Sequence, residues 1–494
     1  MPCTSMTLGP ESGNWVRNRD LPGGRVAGLA DDSVLGVIDS LLKNATFIYH
    51  TPALTQGLTM TWNKSSLAAG TPVLRRLNTA VVLEAVRQVS PTPVRIAELA
   101  KLTSLARPTV AQAVEDLLES GWLTQHAPQE DRLPGRPATR FSLNGLAAPV
   151  LGIDVGAHSV TVAVADLTGK QLALVRRHTV NSETGQSKGA TQLLVRIDAA
   201  VAEALASTDL LPGQVAAVAV GSPGLIDPER GSARIAPSMP DWPEIRIDDH
   251  LAKTFDCPVL LENDANLAAL AISQAMQTAA PTLLAVQWGE RLGSGIVLDG
   301  RLHRGALAAA GEIGFITPGG WQEPLAAGRR GPLEQLIGAE AIAARARKAA
   351  KTHPDSELAR RLKQPGDHTD AAHLFAAAQD GDPVAMAIVD EVAGVFASAI
   401  APVVLALAPD AVVIGGGIAR AGGVLTLAIS AHLGELTLVP PVVELSPLAQ
   451  DAVITGAVHL ALDEAWQLAD RAGQGLAGGE RMDGPPTPPH GRPR

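Results

Sequence analysis

The sequence predicts an α/β fold in two parts, a small helical unit with two short strands followed by a larger body. Three observations support this prediction. The chain has 494 residues, about three structural units at roughly 150 residues per domain. Apolar residues in 71–145 recur with helical spacing. From residue 150 onward, short apolar strands alternate with Ala-rich helices, which is typical of a largely buried sheet.

The charge is unevenly distributed along the chain. Forty Lys and Arg against fifty Asp and Glu give a net charge of -10, and 46% hydrophobic with 18% charged residues excludes global disorder. Residues 1–150 carry 14 basic and 12 acidic side chains, so their net charge is +2 and that of the remainder is -12. Attraction to nucleic acid would therefore have to come from a few well-placed arginines.

Cysteine content and hydropathy indicate the compartment. Two cysteines exclude a disulfide framework and a four-thiolate zinc site, and they fit a reducing environment. No run approaches about 18 uninterrupted apolar residues and no secretory signal begins the chain, so we expect a cytoplasmic protein with no membrane partner. Residues 1–70 and 473–494, rich in Gly, Pro and small polar residues, are predicted to be a flexible arm and a disordered tail.

Residues 71–145 are predicted to form a winged helix-turn-helix. Helical spacing begins at Leu77 and continues in 96–102 and 109–119, and the last two segments have helix-turn-helix spacing. The inward positions of the third helix are Val110, Val114 and Leu117. Its exposed N-terminal part, which would enter the major groove, then carries the predicted base and phosphate contacts Arg107, Thr109 and Gln112.

Two short strands after the third helix are predicted to form the wing. Residues 121–124 and 140–143 would pair, and their connecting loop brings Arg132 and Arg136 to DNA as phosphate or minor-groove contacts. The alternative is a three-helix packing module with solvated arginines. Ala106 stands where a Ser or Asn cap is expected before the third helix, so the start of that helix is less firmly held.

The body contains two successive sets of strands. One set opens with a hairpin region at Val150 and the other at Thr282, which predicts an internally duplicated fold. The predicted strands are 150–155, 160–166, 171–180, 215–220, 259–262, 283–288, 295–298, 411–414 and 442–445.

Three segments of the body could contact a ligand. Asp154 and Gly156 end a strand, where a carboxylate and a flexible turn could meet a nucleotide phosphate and its Mg²⁺, or form only a β-turn. Gly415, Gly416 and Gly417 end another strand, where backbone amides could approach a ligand, or they serve packing. Asn263 and Asp264 lie between a strand and a helix, at the usual ligand crevice, or they cap that helix.

Several motifs in this order together resemble the ROK family of repressors and sugar kinases, over about residues 74–465. They are Leu99 to Leu105 followed by Arg107 to Val110, Gly135-Arg136-Pro137, Gly152 to Gly156, Ser222-Pro223-Gly224, Glu262 to Asn266, Gly311 to Gly314 and Gly415-Gly416-Gly417. The resemblance implies a duplicated actin-like, hexokinase-type (ribonuclease H-like) body of two lobes over 150–466.

The resemblance also assigns site residues. It implies that Gly224, Asn263, Asp264 and Glu312 contact a sugar, with Asp264 at the position of the general base in family kinases. It places Asp154, Gly156 and Gly415 to Gly417 at the nucleotide. Sugars need several directional acceptors, which carboxylates and amides supply.

Departures from the family pattern argue against catalysis. Phe315 stands where family kinases have a zinc-binding His, and 321–334 contains no Cys, so we expect no metal and no other cofactor. Residues 289–293 read Gly-Glu-Arg-Leu-Gly in place of a phosphate loop like Gly-Thr-Gly-Ile-Gly, and Glu290 would repel phosphates. Ser238 replaces the Asn that usually precedes the Trp of the sugar pocket.

The resemblance and these departures together predict a DNA-binding transcriptional regulator, most simply a repressor, with no catalytic residue. Its expected partners are double-stranded operator DNA and a small sugar or sugar-phosphate effector, and the expected assembly is a homodimer or homotetramer. The first alternative is an ATP-dependent sugar kinase with an appended DNA-binding domain. The second is a structural protein whose degenerate pocket senses nothing.

Overall fold

The computed structural model describes residues 71–127, 139–156, 159–178, 190–227, 231–236, 239, 241–276, 281–289, 291–319, 330–364 and 370–475. The predicted arm, nearly all of the predicted tail, Arg132, Arg136, Ser238 and Glu290 lie outside these residues.

The N-terminal unit has three helices and a two-stranded antiparallel sheet, as predicted. Its elements are α1 (Thr71–Val89), α2 (Ile96–Thr103), α3 (Arg107–Glu119), β1 (Leu123–His126) and β2 (Arg140–Leu143). Strand β1 pairs with β2 in the register Leu123↔Leu143, and Val94 forms one further bridge to Phe141. We call residues 71–145 the head.

The body is built on two five-stranded sheets of the same topology. The first lobe has β3 (Val150–Val155), β4 (Ser159–Ala165), β5 (Gln171–His178), α4 (Ala190–Ala206), β6 (Ala217–Ser222), β7 (Leu225–Asp227), β8 (Ser232–Ile235), α5 (Ile247–Leu251) and β9 (Val259–Asn263). The order β5-β4-β3-β6-β9 combines an antiparallel meander with parallel β3, β6 and β9.

The second lobe repeats this arrangement. After α6 (Asp264–Ala275) come β10 (Leu283–Trp288), β11 (Leu292–Leu298), β12 (Arg301–Leu302), α7 (Pro332–Ile337), α8 (Ala339–Thr352), α9 (Glu357–Arg361), α10 (Asp370–Gln379), α11 (Pro383–Leu407), β13 (Ala411–Gly415), α12 (Gly423–Leu436), β14 (Val442–Leu445) and α13 (Ala452–Gly475). The order β12-β11-β10-β13-β14 again joins a meander to parallel strands. The predicted duplication is confirmed.

Helices α6 and α13 lie between the two sheets. Alanines of both helices pack against apolar residues of β3, β6, β10 and β13 in two small clusters. Glycines permit the close approach: a Cβ on Gly456 of α13 would lie 2.0 Å from the Leu267 oxygen of α6, and one on Gly295 of β11 would lie 2.4 Å from Ala269. Each lobe has a larger apolar core on the outer side of its sheet.

Two expectations from the sequence need correction. Helix α13 continues to Gly475, past the predicted end of the body at 466 and past 473, where the tail was expected to begin. Among the described residues one helix, α11, is long and apolar enough to cross a membrane, so the rule of no long apolar run overlooked it. Of its most apolar window 56% is buried, because Phe396, Ile400 and neighbouring residues form the core of the second lobe.

Candidate functional site

The predicted reading helix α3 is seated by its apolar face. Val110, Val114 and Leu117 are buried against α1 and α2, as their spacing predicted. Arg107 and Gln112 are exposed and Thr109 is half-buried. Ala106 is the N-cap and gives no side-chain hydrogen bond, so the N-terminus of the reading helix lacks the usual cap.

An ion pair fixes the reading helix to α1. The Asp116 carboxylate of α3 accepts from Arg75 Nε at 2.8 Å, and this guanidinium lowers the pKa of Asp116. The Gln112 amide donates to the same carboxylate at 3.2 Å. Gln112 must therefore leave Asp116 before its amide can bind an adenine edge, whereas Arg107 requires no such exchange in the described contacts.

The head rests on the last helix of the body. The rings of Trp122 and Trp466 lie 6.4 Å apart, centroid to centroid, and both side chains are buried. The Arg87 guanidinium of α1 stacks 4.4 Å from the Trp466 ring centroid. We call these three residues the joint. Because α13 packs along β3, β6 and α6 before it reaches the joint, one rigid helix contacts both the head and the body.

The carboxyl ends of β3, β6 and β9 meet at one edge of the first sheet. Asp154 pairs with Gly221, and Ser222 pairs with Asn263, in the parallel registers. Asp264 begins α6 directly after β9. The structure therefore brings Asp154, Asn263 and Asp264 together at the crevice where ligands bind open α/β sheets.

The Asn263 side chain has two partners among the described residues. Its Oδ1 accepts from Asn266 N at 3.0 Å, which caps α6, and its Nδ2 donates to the Gly224 oxygen at 2.9 Å. Gly224 has a φ of +99°, and a Cβ there would lie 2.1 Å from the Ile235 oxygen. The capping interpretation of Asn263 is thus correct, and contact with a sugar stays a prediction for this side chain and for Gly224.

Four carboxylates surround the cleft: Asp154, Asp264, Glu312 and Glu334. Burial, followed by the charge of Asp264, raises the pKa of Asp154 and the pKa of Glu312 to about 7. Burial also raises the pKa of Asp264 to about 6, although Ala265 N–H and Arg291 act against it. Carboxyl groups with pKa values raised this far gain and lose protons near neutral pH, which suits acceptors for hydroxyl groups and also suits a general base.

A guanidinium reaches into this cleft. Arg291, in the turn between β10 and β11, places Nη1 2.9 Å from Glu334 Oε1. Glu334 is 4% exposed and also accepts from Leu292 N at 3.1 Å. The charge of Arg291 opposes the rise that burial causes in the pKa values of Asp264, Glu312 and Glu334. It therefore acts on Asp264 at the start of α6 as well as on the two glutamates of the second lobe.

A second ion pair joins the two lobes beside the cleft. Arg304, which follows β12 of the second lobe, donates from Nε to Glu262 Oε2 of β9 at 2.6 Å. Glu262 Oε1 in turn accepts from Asn263 N and Asn266 Nδ2, both at 2.9 Å. The pair thus connects the start of α6 to the segment that leads to Glu312.

The glycine turn after β13 is formed mainly by packing. A Cβ on Gly415 would lie 2.7 Å from Gln287 Nε2, and Gly416, with a φ of +76°, lies against the Trp288 backbone. A Cβ on Gly417 would meet nothing within 4 Å, and Gly289 lies beside it. Of the three glycines, only Gly417 has the open space that a ligand would need, and nucleotide contact remains a prediction for all three and for Gly156.

The expectation of no metal stays a prediction. Within the described ranges no group of three or more His, Cys, Asp or Glu side chains could hold a metal ion. Residues 320–329, where the family pattern would place cysteines, lie outside those ranges.

Known proteins share both parts of this architecture. The sequence profile of the ROK family matches residues 150–464. The chain belongs to the ROK family. The profile of the IclR helix-turn-helix domain matches residues 78–127, so this ROK protein carries a helix-turn-helix domain ahead of its body.

Individual relatives include both kinases and repressors. The "Glucokinase" of Thermotoga maritima is 33% identical over 322 residues, which is 63% of this chain and 96% of that protein. The "Xylose repressor" of Caldicellulosiruptor bescii is 22% identical over 400 residues, 79% of this chain and 97% of that protein. A crystal structure of a ROK family transcriptional regulator, a homologue of the E. coli MLC protein, covers 80% of this chain and 98% of its own with a TM-score of 0.61 at 24% identity, and it shares the fold.

Four site residues escaped the sequence reasoning. Arg291 belongs to the same five-residue loop as Glu290. A basic residue in place of a glycine there is a signal in the sequence that could have identified it as a site residue. Arg304 and Trp466 act through partners more than 40 and more than 300 positions away, and no local pattern identifies such pairs. Arg75 is equally remote from Asp116 in the chain.

Proposed function

We propose that this ROK protein is a DNA-binding transcriptional regulator, most simply a repressor, controlled by a sugar or sugar derivative bound in the carboxylate cleft. The observation that carries the proposal is α13, which packs against the cleft helix α6 and ends in the joint with the head. The alignment with a named repressor extends over 79% of the chain, whereas that with a named glucokinase spans 63%.

The regulatory step follows from differential binding. A ligand shifts an equilibrium between two arrangements only if it binds one of them more tightly. A ligand held by Asp264 and Glu312 would favour one position of α6 relative to the second lobe. Helix α13 would carry that change to Trp466 and reorient Arg107 relative to the operator.

Symmetric operators require at least two heads, so the proposed assembly is a homodimer or homotetramer acting in the cytoplasm. The proposed domains are the head at 71–145 and the ROK body at 150–466. The end of α13 contacts the head, while the rest of that helix packs against the body. The wing residues Arg132 and Arg136 are proposed to add phosphate contacts.

The second candidate function is an ATP-dependent sugar kinase. It is favoured by the cluster of Asp154, Asp264 and Glu312, in which Asp264 has a pKa of about 6 and could accept a hydroxyl proton. We nevertheless propose that catalysis is lost, because Glu290 places a carboxylate in the loop that must receive the phosphates of ATP.

One purified sample distinguishes the candidates. Gel shifts with DNA from the protein's own promoter region, with and without a sugar panel, test the regulator. Coupled ADP release with the same sugars tests the kinase. The regulator predicts a sugar-dependent shift that is lost in Arg107→Ala and kept in Arg301→Ala, an exposed arginine on the body.

If the protein is a kinase, it should release ADP with one of the sugars, and Asp264→Asn should abolish this release. This result would overturn our proposal that catalysis is lost. DNA binding that no sugar changes, together with no ADP release, would support the third interpretation, a degenerate pocket that senses nothing.

A further inference from the structure

Among the described residues, the Arg291 guanidinium is only partly used by its protein partner. Its hydrogen bond to Glu334 runs from Nη1 to Oε1. An arginine carries five N–H donors, and the Arg291 side chain is 31% exposed while Glu334 is 4% exposed. The carboxylate is therefore enclosed, whereas part of the Arg291 side chain is accessible.

Glu334 has other partners if the guanidinium turns toward a ligand. Its Oε2 accepts from Leu292 N at 3.1 Å, and Arg330 Nε lies 3.9 Å from Oε1. Sharing Arg291 with a ligand thus leaves the buried carboxylate with one hydrogen bond and a nearby positive charge. This arrangement lowers the cost of the exchange, since a buried carboxylate with no partner is strongly destabilising.

The loop of Arg291 lies beside the residues expected to hold a sugar. A Cβ on Gly293 would lie 3.5 Å from the Ala265 Cβ, next to Asp264, and one on Gly314, two residues after Glu312, would lie 2.4 Å from the Leu292 oxygen. Arg291 acts electrostatically on Asp264 and on Glu312. These carboxylates accept hydrogen bonds, whereas an arginine only donates them, and its planar fork matches a carboxylate or a phosphate bidentately. A ligand that satisfies both halves of the cleft has hydroxyl groups at one end and an anionic group at the other.

We propose that Arg291 selects the effector by binding an anionic group, so that the ligand is a sugar acid or a phosphorylated sugar and a neutral sugar binds more weakly. This inference rests on the proposed function, because it takes the carboxylate cleft to be the effector site. The nearby carboxylates do not forbid an anion: Asp154 and Glu312, with pKa values of about 7, can take up protons when the ligand binds.

The test compares matched ligands on the full chain by isothermal titration calorimetry. Glucose, glucose 6-phosphate, glucuronate and gluconate form one set; N-acetylglucosamine with its 6-phosphate, and xylose with xylonate, form two more. The phosphate and acid arms distinguish the two sources of the anion. We expect at least one charged member to bind tenfold or more tightly than its neutral parent.

Three variants test whether Arg291 is the source of the preference for a charged ligand. Arg291→Ala should remove the tenfold preference, so that the charged member binds no more tightly than its neutral parent. Arg291→Lys should keep part of it, because the charge remains and the fork is lost. Arg301→Ala, an exposed arginine at β12 in the same meander, should behave as the unchanged protein, and circular dichroism verifies that each variant is folded.

Each outcome decides the proposal. Neutral sugars that bind as tightly as their charged forms overturn it, as does a preference that survives in Arg291→Ala. If neutral sugars bind as tightly as their charged forms and Asp264→Asn removes that binding, only this inference fails and the proposed function stands. If no member of any set binds or releases DNA, sugar regulation fails as well.

Discussion

The head and the carboxylate cleft are built on opposite principles. In the head, Arg107 and Gln112 are exposed on a helix whose other face is buried. In the cleft, Asp154, Asp264 and Glu312 are recessed and their pKa values are raised. A long polyanion can reach exposed cations, whereas a small polyol must be enclosed before its hydroxyl groups can be recognised.

This difference determines which solution variable each region senses. Exposed arginines interact with DNA through a field that salt screens, so the head should respond to ionic strength. Recessed carboxylates titrate near neutral pH, so the cleft should respond to protons. The joint connects these two regions.

The largest effect is expected from removing the joint. Trp466→Ala should lower the free energy of unfolding by about 3–5 kcal/mol, because a buried aromatic is replaced by a cavity. It should also leave DNA binding unresponsive to any sugar that acts on the unchanged protein. Differential scanning calorimetry and gel shifts measure the two effects. Trp466→Phe, which keeps most of the buried area, serves as the comparison. Equal thermal unfolding transitions for the Ala variant and the unchanged protein would show that the joint contributes nothing to the free energy of unfolding.

The head should lose affinity when its reading arginine is removed. Arg107→Ala should weaken operator binding by about 1–3 kcal/mol at fixed salt, as expected for the loss of one bidentate base contact. Fluorescence anisotropy on labelled DNA at several salt concentrations measures both the affinity and its salt slope. A uniform loss on operator and random DNA would reassign Arg107 from a base to a phosphate.

The cleft should make stability depend on pH. The folded pKa values of Asp154, Asp264 and Glu312 lie above their ordinary values, so the folded state binds more protons than the unfolded state between about pH 4 and 7. Stability from these groups therefore falls as pH rises through that window, by on the order of 1 kcal/mol per group after allowance for solvent. Asp154→Asn should flatten the melting temperature between pH 5 and 7; an unchanged slope would contradict this account.

The smallest effect is expected at the cap of the reading helix. Ala106 has the extended backbone of an N-cap and no side-chain acceptor. Ala106→Ser should stabilise the head by about 0.5–1 kcal/mol, measured as a rise in the melting temperature. Ala111→Ser, inside the same helix, should give no such gain, and a gain of equal size there would exclude capping as the reason.

The fold was predictable because periodicity and order carry most of it. Val110, Val114 and Leu117 identified the buried face of α3, and the repeated hairpin regions at 150 and 282 identified the duplication. Strand ends were less accurate: β6 extends to Ser222 and β11 begins at Leu292, because polar and glycine residues at the sheet edge still pair. The end of α13 was misjudged because its partner, the head, is distant in sequence.

The site was predictable only where residues are neighbours in the chain. Asn263 and Asp264 follow a strand, so their place at the sheet edge could be derived. Arg291 depends on a contact 43 positions away in its own lobe, Arg304 on a contact between the lobes, and Trp466 on a contact between head and body. Such contacts are a property of tertiary packing. The loop at 289–293 could be recognised from Glu290, whereas the role of Arg291 beside it depends on the contact with Glu334.

The position of Trp466 has a consequence for protein synthesis. The ribosome completes the head early, yet the residue on which Trp122 rests is made about 340 residues later. At about 5–20 residues per second, the nascent head waits for roughly 20–70 s without its partner. During that interval the head can fold around its own core, but it cannot receive any signal from the body. The head of an unfinished chain could therefore bind DNA, but its binding would not respond to an effector.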